Sequence, residues 1–125
     1  MTHETAFDEF NFYEDVMELT HTSPAEIANV TRWKLETVRA GELFAIHNAA
    51  ENLANAIRFE LEFRDGDMAA VVEQQGAMLE AFIEWLSERG LDCHALRDRK
   101  PTNQSRQEVL RVRALCDAMT EADVG

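Results

Sequence analysis

The chain has 125 residues, 46% of them apolar, and 12 basic against 24 acidic residues give a formal charge of -12. That length buries a core for one domain without disulfide or metal staples, and no apolar run approaches the roughly 18 to 20 residues of a membrane span. The excess of acid opposes nonspecific binding to nucleic acid or anionic lipid, whose phosphates call for Lys and Arg, so direct nucleic-acid binding is not expected.

The charge is polarised along the chain. Residues 1–31 hold seven acids and no Lys or Arg, residues 32–90 hold six basic and eleven acidic side chains, and residues 91–125 hold six of each. The opening Met1-Thr2-His3-Glu4 has neither the basic start nor the apolar stretch of a secretory signal, so a cytoplasmic location is expected. Cys93 and Cys116 form no CxxC spacing. They read as plain thiols of a reducing compartment, with a disulfide between the two left open.

The first element is an amphipathic helix from about residue 6 to residue 20, in which Phe7, Phe10, Phe12, Tyr13, Val16, Met17 and Leu19 recur at helical spacing between acids. His21-Thr22-Ser23-Pro24 breaks it. Ser23 then stands as an N-cap, Pro24 takes the first helical position where its missing N–H costs nothing, and Glu26 closes a capping box. From Pro24 the apolar pattern runs through Ile27, Val30, Trp33, Leu35 and Val38, then Leu43, Ile46, Ala50, Leu53, Ile57 and Leu61. As one helix to Arg64 it would be roughly 60 Å long. A domain of this size is about 36 Å across, so a break is expected at Ala40-Gly41-Glu42; the alternative is a long central helix paired with a second copy.

Arg64-Asp65-Gly66-Asp67 marks a turn, and Met68, Val72, Gln75, Leu79, Phe82 and Leu86 define the next helix, from 68 to 89, with Val71, Met78, Ile83 and Trp85 widening its stripe. Gly90-Leu91 ends it in the manner of a left-handed glycine cap. The helices before and after the turn, 42–64 and 68–89, match in length and predict an antiparallel hairpin. Against this, Ile57, Phe59, Leu61 and Phe63 alternate with polar residues at strand period before Asp65-Gly66, which offers a β-hairpin as a competing reading. Residues 91–98 suit one short helical turn, 97–104 a polar linker, and Ser105 to Glu121 a last helix with a capping box at Ser105 and Glu108 and a stripe of Val109, Val112, Leu115, Cys116 and Met119. The expected fold is all-α, a compact antiparallel bundle of four to five helices forming one domain over residues 1–125.

Chemical motifs are sparse. His47 and Glu51, at i and i+4, are the metal-site candidates, but Glu-x-x-His is absent and the other histidines lie elsewhere, so no metal and no cofactor is expected. Arg89 and His94 have a spacing some helical nucleases use, yet Gly90 ends the helix such a pair needs. No nucleophile elbow or phosphate-binding glycine loop occurs. The small residues Ala45, Ala49, Ala50, Ala54 and Ala56 admit close helix packing, in the core first and at a homodimer seam second.

The leading expectation is a nonenzymatic interaction protein, a regulator, adaptor or inhibitor that binds a protein partner bearing basic groups. Its candidate contact residues are Asp8, Glu9, Glu14, Asp15 and Glu18 on the first helix and Arg99, Lys100, Arg106 and Arg113 in the basic segment, the latter expected to pack beside the acidic first helix. A sharper alternative has the five acids imitate a phosphate row and inhibit a nucleic-acid-handling complex, as phage-type inhibitors do. A third is a metal-binding helical enzyme built on His47 and Glu51.

Overall fold

The computed structural model describes residues 7–19, 23–38, 40–63 and 68–98. Four helices pack against one another: α1 (Glu9–Leu19), α2 (Pro24–Glu36), α3 (Leu43–Phe63) and α4 (Ala69–Glu88), with short 3-10 turns at Ala40–Glu42 and His94–Asp98. No strand occurs among the described residues, and Ile57 to Phe63 continue α3, so the competing β-hairpin is not formed there. None of the described helices is long and apolar enough to cross a membrane.

Local chemistry explains where the helices begin and end. Asp8 caps α1, its Oδ1 accepting from the amides of Phe10 at 3.1 Å and Asn11 at 3.2 Å, and its charge also suits the positive end of the helix dipole. Ser23 is extended and its Oγ accepts from the Glu26 amide at 3.2 Å, with Pro24 as the first helical residue. Ser23→Ala should therefore lower stability by about 1 kcal/mol, a loss read by urea denaturation; a change below about 0.3 kcal/mol would show the cap to be dispensable. Gly90, at φ 91°, closes α4. Its amide donates to the Ser87 carbonyl at 3.0 Å and that of Leu91 to the Leu86 carbonyl at 3.1 Å, the paired bonds of a Schellman motif.

Among the described residues, those from 24 to 63 form two α-helices rather than one, and the first ends ahead of the glycine. α2 stops at Glu36, where the Thr37 amide donates to the Lys34 carbonyl at 3.1 Å, the Val38 amide to the Leu35 carbonyl at 3.0 Å and the Thr37 hydroxyl to the Lys34 carbonyl at 2.6 Å. Gly41 lies in the 3-10 turn that leads into α3. Its φ is not positive, so this turn does not require glycine's conformational freedom.

α4 is the central helix. Leu79, Ala81, Phe82, Ile83, Trp85 and Leu86 are all buried, an arc too wide for one neighbour, and α4 packs along both α2 and α3, more extensively on α2. Polar contacts edge the α2–α4 seam: Arg32 grips Glu88 at 2.8 and 2.9 Å, and Glu36 accepts from the Trp85 indole at 3.1 Å. Ile27, Thr31 and Leu35 form the inward face of α2, and the buried Thr31 hydroxyl is satisfied by the Ile27 carbonyl at 2.6 Å.

The alanines of α3 serve the core. Ala49, Ala50 and Ala54 are buried, and the small side chain at 49 lets the Tyr13 hydroxyl of α1 reach the Ala49 carbonyl at 2.6 Å. α1 is fixed from its inner face by an aromatic cluster, with Phe12 at 5.4 Å and Tyr13 at 6.4 Å from the Phe82 ring centroid. Arg97, shared by the expected short turn over 91–98 and the expected linker, lies in the 3-10 turn after α4, where its guanidinium clasps Glu80 through two bonds of 2.6 Å. The rest of the 97–104 linker beyond Asp98, the helix expected at 105–121, the Asp65-Gly66 turn and Cys116 lie outside the described residues.

Candidate functional site

The α1 acids expected to meet a partner are mostly engaged within the molecule. Asp8 caps its own helix, and Glu9 accepts from the Asn52 amide of α3 at 3.1 Å. Asp15 pairs with Lys34 of α2 at 3.4 Å, while Glu14 is half-buried and Glu18 exposed. The cation facing Asp15 therefore comes from α2. Arg99, Lys100, Arg106 and Arg113 lie outside the described residues.

Around Asp15 the surface changes character. Lys34 also stands 5.8 Å from the centroid of the Trp33 ring, so the indole, the ammonium and the carboxylate form one connected group across α1 and α2. Trp33 is 61% exposed and Leu19 59%. Glu18 and Leu19 follow Asp15 by three and four residues, which makes both its neighbours on the surface of α1. The result is an aromatic side chain and an aliphatic one, both open to water, set among acids. Trp33 belongs to the apolar run read from the sequence, but it stands off the 27, 31, 35 spacing that turns inward, and that offset was the available signal. Phe44, at the start of α3, is a further exposed aromatic at 78%.

The other candidates do not converge. His47 and Glu51 are both half-buried on α3, and no group of three or more His, Cys, Asp or Glu gathers among the described residues. Cys93 is buried; burial first, then the Asp92 and Glu51 carboxylates, push its thiol above the ordinary value, which keeps it protonated and poorly nucleophilic at neutral pH. Arg89 stacks on the Trp85 ring at 3.6 Å and donates to the Trp85 carbonyl at 3.0 Å, whereas His94 meets Arg97. The two members of that spacing thus serve different contacts.

The chain matches no family model, no curated protein and no solved structure.

Proposed function

We propose that this chain is a nonenzymatic helical domain that binds a protein partner through the α1–α2 face, with Trp33 and Leu19 as anchors and Asp15 and Glu18 as the acidic rim. The observation that carries the reading is the Trp33 indole, 61% exposed beside the Asp15–Lys34 pair. A large aromatic side chain among charged groups is the composition that dominates protein interfaces, since it buries area at little entropic cost while the rim selects the partner. The rim's acids and the overall charge of -12 favour a partner with basic groups.

The phosphate-row reading asks for five free carboxylates, and Asp8, Glu9 and Asp15 already have partners in the fold; the acids act better as a rim than as a row. The bundle itself supplies the rigid support that such a face needs.

The test is affinity capture from the native host with the wild-type chain, Trp33→Ala and Glu18→Lys side by side. A protein retained by the wild type should bind Trp33→Ala roughly 30-fold less tightly, equivalent to about 2 kcal/mol, and should be released by moderate salt. The melting temperature of Trp33→Ala should stay close to that of the wild type, because the side chain is exposed. Equal retention by all three proteins would refute the assignment of this face.

A further inference from the structure

We infer that the α1–α2 face takes an arginine side chain of its partner, held between the Trp33 indole and the Asp15 carboxylate at the place where the Lys34 ammonium stands in the free chain. This rests on the reading of that face as the docking surface, and adds which residue of the partner it selects. The molecule holds a completed form of the same arrangement. At the α2–α4 seam the Arg89 guanidinium lies 3.6 Å from the centroid of the Trp85 ring and donates to Glu36 Oε2 at 3.5 Å, the oxygen that also accepts from the Trp85 indole at 3.1 Å. Indole, guanidinium and carboxylate close on one another there, and the ring is buried.

Trp33, Lys34 and Asp15 repeat the set on the exterior with one member changed. The Lys34 ammonium is 3.4 Å from Asp15 Oδ2 but 5.8 Å from the Trp33 centroid, at the outer limit of about 6 Å for a cation over a ring. An ammonium is a compact, strongly hydrated point charge. A guanidinium is flat, sheds water more readily, and lies on an indole while its fork of N–H groups meets a carboxylate. Lys34 thus marks a position from which ring and carboxylate are both reached, and fills it poorly. Both hosts remain open, since Trp33 and the Asp15 side chain are each more than half exposed, and among the described residues Asp15 receives Lys34 on Oδ2 alone.

Charge favours the exchange. α1 and α2 carry six acidic and two basic side chains, and one of the two, Arg32, is turned to Glu84 and Glu88 of α4. Lys34 is therefore the cation of these helices with which an incoming arginine competes. Its pair with Asp15 lies at the surface, where ion pairs hold their members weakly, so the ammonium gives way and swings into water.

The test uses the full chain labelled with nitrogen-15 and two capped synthetic pentapeptides of equal charge, one with two arginines and one with two lysines. Affinity is read from the amide signals of α1 and α2, and the place of contact from the two indole Nε1–H signals. The arginine peptide should bind roughly fivefold more tightly than the lysine peptide, moving the Trp33 indole signal while that of buried Trp85 stays still. Trp33→Leu keeps an apolar side chain without the indole, and Asp15→Asn keeps the shape without the charge; each should bring the two peptides to within about twofold of one another. Lys34→Met should raise the affinity for the arginine peptide about threefold and widen the preference, whereas loss of a charge by itself would favour both peptides alike. A Trp33 indole that does not move, equal binding of the two peptides, a preference that survives Trp33→Leu or Asp15→Asn, or one that Lys34→Met fails to widen would overturn the inference. Peptides bound alike by a chain whose captured protein still depends on Trp33 would remove the arginine and leave the docking face standing. An arginine preference centred on Trp33, with capture indifferent to Trp33→Ala, would do the reverse.

Discussion

Phe82→Ala is expected to lower stability by about 3 to 5 kcal/mol, a large part of the roughly 5 to 15 kcal/mol that holds a domain of this size together. Phe82 is fully buried, and its ring meets those of Phe7 at 6.5 Å, Phe12 at 5.4 Å and Tyr13 at 6.4 Å. It is the point at which α4 holds α1. Removing it leaves a cavity and also takes away the aromatic surface on which α1 rests, so hydrogen exchange should accelerate first at α1 amides. Phe82→Leu, which keeps most of the volume, should cost less than about 1.5 kcal/mol. Equilibrium urea denaturation checks both values, and an alanine variant within 1 kcal/mol of the wild type would mean that α1 does not depend on this cluster.

Trp85→Ala should be as damaging, about 3 to 5 kcal/mol, for a different reason. The Trp85 ring is 1% exposed at the α2–α4 seam, its Nε1 donates to Glu36 at 3.1 Å, and its face carries the Arg89 guanidinium at 3.6 Å. Truncation empties the seam and takes away the ring on which Arg89 stacks, while Arg89 and Glu36 keep their own contact at 3.5 Å. Trp85→Phe separates the contributions: it keeps a ring under Arg89 and loses the donor. The Glu36 side chain is 53% exposed, so water replaces the lost bond, and the phenylalanine variant should retain most of the stability. If the two variants fall together in the same denaturation series, the indole N–H rather than the ring volume is what the seam requires.

Much of the fold could be read from residue order alone. The starts and stops were the clearest part. Ser23-Pro24 and Gly90-Leu91 work through the backbone of their own neighbours, with bonds from Glu26 to Ser23 and from Leu91 to Leu86 that never leave one turn of chain. Asp8 falls inside the helix expected from about residue 6, yet its bonds to Phe10 and Asn11 make it the cap of a helix that begins at Glu9. The break between α2 and α3 was legible as a necessity of length, and the expected Ala40-Gly41-Glu42 lies within the interruption, but the end of α2 at Glu36 was not legible. Thr37 ends α2 ahead of Gly41, at a position no residue type advertises.

The candidate surface was less visible. Leu19 and Trp33 both fit a helical stripe in the sequence, yet each is more than half exposed, because a stripe identifies which residues are apolar and not how far the neighbouring helix extends over them. The pairing of Asp15 with Lys34 spans nineteen residues, and nothing short-range relates the two.

Sequence by itself determined the helical class, the start at Ser23 and the stop at Gly90, and the broad apolar arc of α4, since these follow from propensity, hydrogen bonding and 3.6-residue periodicity within a few turns of chain. Only the tertiary structure decided that α4 lies chiefly along α2, that the α3 alanines receive Tyr13, and that Trp33 stands in water beside an ion pair. Those outcomes depend on which of several adequate apolar faces meet, and that choice is made by the shape and depth of contact between elements distant in the chain.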